Sequence, residues 1–245
     1  GISFLVCSNY SKLPSFYEEL NAIVKRLLDE QNTDGSWWIY KDAKQRKGIK
    51  LLGFCSGISG ILYFLIQYFI SYPEQRIETA IKKGLKFLLK KQTWHNGHLV
   101  WPISEINENI DPWFEHGFTG IALTFILAYK IWLDPEYKDA VTEALQSHPK
   151  FIASNLLTVG NGLAGLGEIY LEAFKAFHES EWLERANHIV NILASTYNSN
   201  LCGIHWVDGN SSVPVADFMD GNIGIIHFFL HYHSPEKLSF PFNLD

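Results

Sequence analysis

At 245 residues, with 47% hydrophobic and 19% charged side chains, the chain has the size and composition of one globular domain, which excludes a disordered segment. Twenty Lys and Arg against 26 Asp and Glu leave a net charge of −6, so there is no basic surplus for a nucleic-acid face. The basic stretch Lys41, Lys44, Arg46, Lys47 and Lys50 reads as a solvated loop. Cys7, Cys55 and Cys202 are odd in number and widely spaced, which fits neither a disulfide framework nor a Cys-rich zinc site; a cytoplasmic location is the expectation. The opening Gly-Ile-Ser-Phe-Leu-Val-Cys lacks the charged start of a signal peptide and reads as the edge of a larger fold. The longest apolar run, Ile58 to Ile70, is broken by Ser59, Gly60 and Gln67 and is shorter than the ~20 residues that span a bilayer.

In chain order, Ser15-Phe16-Tyr17-Glu18 forms a capping box and predicts a helix to about Gln31. Gln31 to Trp37 reads as a tight turn closed by a buried Trp. Cys55-Ser56-Gly57-Ile58-Ser59-Gly60-Ile61 then opens an apolar stretch, Leu62 to Phe69, and an amphipathic helix follows over about Glu74 to Lys91. The glycine phrase returns as Glu115-His116-Gly117-Phe118-Thr119-Gly120-Ile121, ahead of apolar Ala122 to Trp132. Asp134-Pro135-Glu136 starts the next helix, with a capping carboxylate and proline in the first helical position. Gly160-Asn161-Gly162-Leu163-Ala164-Gly165-Leu166 precedes apolar Gly167 to Phe174, and an amphipathic helix spans about Glu181 to Tyr197. Met219-Asp220-Gly221-Asn222-Ile223-Gly224-Ile225 opens the last apolar stretch, Ile226 to Tyr232.

A polar-faced helix followed by a buried one, four times over, is an internal repeat. An inner ring of buried helices inside an outer amphipathic ring satisfies that alternation. Glycine at the first position suits a sharp entry into the helix, and glycine three residues later admits a close backbone. With parallel inner helices, all four glycine turns lie at one end, and Ser56, His116, Asn161 and Asp220 converge there. Free N–H groups at the helix N-termini would then favour an anion or a developing negative charge. Capping of the individual helices is the simpler role for Ser56, Asn161 and Asp220, whereas His116 is a poor cap.

These phrases resemble the lanthionine synthetase C-like cyclases. Gly53-Phe54-Cys55-Ser56-Gly57-Ile58-Ser59-Gly60-Ile61 is similar to the family's Gly-Phe-Ala-His-Gly-x-x-Gly-Ile. Asn161-Gly162-Leu163-Ala164-Gly165-Leu166-Gly167-Glu168 is similar to its Cys-His-Gly-Leu-Ala-Gly-Leu-Gly-Glu, and Phe218-Met219-Asp220-Gly221-Asn222-Ile223-Gly224-Ile225 to its closing phrase. The resemblance implies an all-α fold, an α/α toroid of which about four of seven helix pairs are present. Residues 1–245 would then be the C-terminal part of a longer chain. The family's zinc ligands are replaced by Glu115, Gly160 and Asn161, and its acid/base histidine by Ser56, so no metal or other cofactor is expected. That pattern is most similar to the cyclase domain of a class III lanthipeptide synthetase. Its partners would be a dehydrated Cys-containing precursor peptide and the synthetase's own kinase and lyase domains.

The implied reaction adds a peptide cysteine thiol to dehydroalanine or dehydrobutyrine, making lanthionine or labionin rings. A thiol of pKa about 8.5 needs a base when no metal activates it. His116 is the best candidate, with Glu115 orienting it or replacing it, and Asp220 as a further catalytic group. Ser56, Asn161 and Cys55 offer contacts to substrate, and Trp113 and Phe114 an aromatic mouth. For Cys55 a small buried hydrophobe is the blander reading.

Two alternatives compete. One is a catalytically inert scaffold that binds a precursor peptide or a partner domain. The other is a terpenoid cyclase-like toroid, suggested by Gln31 to Trp37. His227 and His231 are read as packing and capping residues, and Glu168 either faces the cavity or bridges to a neighbouring helix.

Overall fold

The computed structural model describes residue 5 and residues 14–38, 40–41, 48–201, 203–209 and 213–243. Cys7, Cys202 and most of the basic stretch lie outside them. Eight helices are present among the described residues: α1 Pro14–Glu30, α2 Ile58–Ser71, α3 Gln75–Leu89, α4 Phe118–Trp132, α5 Pro135–Gln146, α6 Leu163–Phe177, α7 Ser180–Ser195 and α8 Asn222–His233. Antiparallel two-strand hairpins follow three of the odd-numbered helices: β1 Tyr40–Lys41 with β2 Gly48–Ile49, β3 Thr93–His95 with β4 His98–Val100, and β5 Asn198–Asn200 with β6 Gly203–His205.

The even helices pack in succession, α2 on α4, α4 on α6 and α6 on α8, while α3, α5 and α7 lie outside them. This is the α/α toroid arrangement, built here from four outer–inner pairs. Every residue from Phe118 to Ala128 in α4 and from Leu163 to Ala173 in α6 is buried, as helices surrounded on all sides require. In contrast to the expectation for a fully buried helix, α8 exposes Ile223, Ile226 and Leu230 along one face, because it is the last inner helix in the row. Helix α1 begins at Pro14, one residue before the expected hydroxyl cap, with proline where its missing N–H costs nothing. Asp134 caps α5 as expected, its carboxylate accepting from the Glu136 amide at 3.0 Å.

One anchor recurs behind the outer helices. The indole N–H of Trp37 donates to the Leu27 carbonyl of α1 at 2.7 Å, that of Trp101 to Leu88 of α3 at 2.8 Å, and that of Trp206 to Leu193 of α7 at 2.7 Å. Each indole donates to a carbonyl in the last turn of its helix while burying its ring. Gln31 to Trp37 is therefore a structural turn, with Gly35 at φ +94° and Asp34 accepting from Ser36. The terpenoid cyclase-like reading drawn from these residues has no further support. Lys50, expected in a solvated loop, is instead buried between Asp34 at 2.7 Å and Glu105 at 3.2 Å.

The glycine phrases follow one steric rule. A Cβ on Gly60, Gly120, Gly165 or Gly224 would stand 1.9–2.0 Å from the carbonyl oxygen of Phe54, Phe114, Val159 or Phe218, six residues earlier in each repeat. The neighbouring backbone admitted by the second glycine is thus the repeat's own entry loop. The leading glycines, Gly57, Gly117, Gly162 and Gly221, keep negative φ, so they supply room rather than an unusual dihedral.

Candidate functional site

The four turns are joined by main-chain hydrogen bonds. The Cys55 N–H donates to the Glu115 carbonyl at 2.9 Å, Glu115 N–H to Gly160 at 2.9 Å, and Gly160 N–H to Met219 at 2.7 Å. This ladder sets the turns side by side at the N-terminal ends of α2, α4, α6 and α8, as the parallel-ring reading requires. Within these turns Phe54 and Phe114 are buried and Phe218 is half-buried, while the next residues, Cys55 and Glu115, are exposed and half-buried.

Glu115 lies among the residues of the other turns, on the shared end that forms the candidate cleft. Its Oε2 accepts from the Asn161 amide at 2.8 Å, and its Oε1 lies 3.9 Å from His116 Nε2, close enough for attraction but longer than a hydrogen bond. A Cβ on Gly160 would lie 3.2 Å from Asp220 Oδ1 and 3.6 Å from Glu115 Oε2, so both carboxylates flank that glycine. Desolvation, followed by Glu115 and then Asp217 and Asp208, raises the Asp220 pKa above its ordinary value. Cys55 is exposed, which corrects its reading as a buried hydrophobe. Desolvation by its neighbours, followed by Glu115 and Asp220, pushes the thiol up to about 11. Ser56 is half-buried in the first turn, and His116 is about half exposed.

Three expectations need correction. The N-caps of the inner helices are the glycines themselves, and none of these caps makes a side-chain bond; Ser56, His116, Asn161 and Asp220 sit one residue earlier and do not cap. Seven of the leading N–H groups of the inner helices are not free for an anion. Ile58, Ser59, Phe118, Leu163, Ala164, Gly165 and Asn222 each donate to the carbonyl seven residues back, because the entry loop folds onto the helix end. Phe114 is fully buried, its ring 4.8 Å from Phe54 and 5.2 Å from Phe240, so it forms the floor of the cleft rather than its mouth. Trp113 is half-buried, 6.4 Å from the His148 ring.

Beneath the floor lies a buried ionic cluster that sequence reasoning left unresolved. Glu168 on α6 bridges to the neighbouring helix, accepting from His227 Nδ1 at 2.7 Å and His231 Nδ1 at 2.5 Å on α8. One turn on, Glu172 accepts from Lys130 at 3.1 Å and from the Phe240 amide at 3.1 Å. The signal was the matched spacing: two glutamates four apart on one inner helix and two histidines four apart on the next. A cleft of about 730 Å³ between α3 and α5 contains none of the expected site residues; it is lined by Trp132 and Asp134, at the end of α4 opposite the glycine turns.

The family model described as "Lanthionine synthetase C-like protein" matches residues 1–244. A curated relative, LanC-like protein GCL1 of Arabidopsis thaliana, is 24% identical over 149 residues, covering 60% of this chain and 33% of its own length. Nisin cyclase shares the fold with a TM-score of 0.70 at 15% identity, over 96% of this chain and 61% of its own. A D-mannose isomerase shares it more loosely, with a TM-score of 0.50 at 16% identity, over 74% of this chain and 55% of its own. The chain thus spans a third of the curated relative and about three fifths of nisin cyclase. With the family matched across nearly every residue and the ring of glycine-led inner helices in place, this chain belongs to the lanthionine synthetase C-like family.

Proposed function

We propose that the chain is a cyclase domain of a lanthipeptide synthetase, of the class III kind, which closes thioether rings on a dehydrated precursor peptide without a resident metal. The observation that carries this reading is the convergence of Glu115, His116, Asn161 and Asp220 around one cleft, at the end of the ring where four turns meet. The donor set supports metal independence. The family's cysteine and Cys-His positions are a carboxylate, a glycine and an amide, and that amide's nitrogen is turned toward Glu115. Among the described residues, no three His, Cys, Asp or Glu side chains are placed to share one ion. These residues do not fit a three-ligand zinc centre.

In the proposed step, His116 takes the proton of the substrate thiol, with Glu115 Oε1 3.9 Å from its Nε2. The thiolate forms a C–S bond at the β-carbon, and the alkene π pair moves toward the carbonyl as an enolate. The proton held on His116 passes by way of Asp220, which flanks Gly160 beside Glu115, to the α-carbon, and both groups end as they began. Holding thiol and alkene together supplies a further rate advantage through proximity.

The test is mass spectrometry with thiol alkylation of a dehydrated precursor, using this domain in its full-length synthetase with a chelator present. Chelator-insensitive loss of free thiols that is impaired in His116→Ala and Asp220→Asn supports the reading. Loss of thiols unaffected by either substitution reduces the cleft to a template. A bound peptide with unchanged thiols moves the assignment to an inert scaffold, a reading favoured by Ser56 in place of the family's histidine.

A further inference from the structure

After α8 the chain turns back through Glu236 and Lys237, both exposed, and residues 238–243 cross the interior of the ring without regular secondary structure. The ring's polar side chains hold this segment by its main chain at three points and by two of its side chains, Lys175 donating also to Ser239 Oγ at 2.7 Å and the Tyr63 hydroxyl to Asn243 Oδ1. Lys175 donates to the Leu238 carbonyl at 3.0 Å, Glu172 accepts from the Phe240 amide at 3.1 Å, and Gln67 donates to the Phe242 carbonyl at 3.5 Å. Two side chains, two residues apart, enter aromatic surroundings. Phe240 is fully buried, 5.2 Å from Phe114 and 6.4 Å from Phe218, and Phe242 stacks 6.0 Å from Phe54. Pro241, between them, points to solvent.

Main-chain groups held by fixed side chains, with pockets for alternate residues, are the means by which a groove recognises an extended peptide. Glu172 is itself fully buried and fixed by Lys130 and Lys175, so its acceptor is preorganised for an amide N–H. We propose that the interior of the ring, beneath the cleft, is a binding groove for an extended peptide carrying aromatic side chains at alternate positions, and that residues 238–243 occupy it as an exchangeable ligand in cis. The three rings touching the two phenylalanines belong to the residues immediately before Cys55, Glu115 and Met219, so an occupant of the groove forms the underside of the cleft. This assignment concerns binding alone and stands whether or not the cleft carries out cyclisation.

The experiment uses the full chain carrying Phe240→Ser and Phe242→Ser, and a fluorescein-labelled Leu-Ser-Phe-Pro-Phe-Asn peptide read by anisotropy. The folded double variant is expected to bind the peptide. A tethered occupant has an effective concentration of about a millimolar, so a peptide of micromolar affinity binds the parent chain about a thousandfold more weakly. A peptide with both phenylalanines replaced by serine is expected not to bind. A folded double variant that does not bind the labelled peptide overturns the proposal. Should the variant fail to fold, a site-specific protease sequence inserted between Glu236 and Lys237 decides the matter in the otherwise unaltered chain. After cleavage, exchange of the released segment for the labelled peptide supports the groove, whereas a segment that stays bound through gel filtration and does not exchange shows a permanent structural element and overturns it.

Discussion

Replacing Glu168 by glutamine removes a negative charge from a place that solvent does not reach. Glu168 is fully buried, and each of its oxygens accepts from one imidazole, at 2.7 Å and 2.5 Å. Glutamine keeps the shape but offers one acceptor oxygen and one donor nitrogen, so one of the two imidazoles meets a donor where it had an acceptor. Hydrogen bonds to a charged group contribute about 1.5–3 kcal/mol each, so disturbing both bonds that converge on this carboxylate places Glu168→Gln at about 3–5 kcal/mol of destabilisation. Urea unfolding at pH 7 followed by circular dichroism reads that loss, and thermal melting reads it as a shift of roughly 10 °C for a domain of this size. Glu30→Gln is the control, since its partner Arg26 is 78% exposed; the expected loss there is about 0.5 kcal/mol or less. A loss for Glu168→Gln no larger than that of the control would refute the argument that this cluster fastens α8 to α6.

The remaining predictions concern the turns and the cleft. Gly165→Ala places a methyl group 1.9 Å from the Val159 carbonyl, and its cost in urea unfolding should exceed the about 1–3 kcal/mol of ordinary overpacking, whereas Gly97→Ala, which meets no atom within 4 Å, carries only the strain of its φ of +84°. Cys55, held up at about 11, should react with iodoacetamide near neutral pH more slowly than a free thiol, and Glu115→Gln combined with Asp220→Asn should speed the reaction, as peptide mapping would show. Asp220 has a folded-state pKa above its unfolded value near 3.8, so its stabilising contribution is complete below that pH and is lost as pH rises through the raised value. Asp220→Asn should therefore raise the melting temperature relative to the parent chain at pH 7 but not at pH 3; equal effects at both would contradict the repulsion from Glu115.

The repeat was legible because its cause is local. Each glycine phrase precedes an apolar stretch, and the ring arrangement follows from burying such helices behind amphipathic ones. The convergence of His116, Asn161 and Asp220 followed from the same pattern, since parallel helices bring equivalent residues together. What the phrases concealed was main-chain bonding. The sites of helix capping and the fate of the leading N–H groups depend on an entry loop folding back seven residues, which no residue type announces. The floor of the cleft was hidden for a different reason: Phe240 reaches Phe114 and Phe218 only after the chain reverses beyond α8, and no periodicity reports a segment without regular structure. Glu168 was ambiguous because the identity of its partners depends on the rotation of α8 about its axis.

The ladder from Cys55 through Glu115 and Gly160 to Met219 is made of peptide groups alone. Side chains at its rungs and at the neighbouring turn positions can therefore be exchanged without breaking the bonds that hold the turns in register. Positions 56, 115, 116, 161 and 220 behave as sockets in a frame whose assembly does not depend on what is plugged into them. Such a frame can part with one set of reactive groups and take up another while its shape persists, which makes these five positions the natural place to install new chemistry by design.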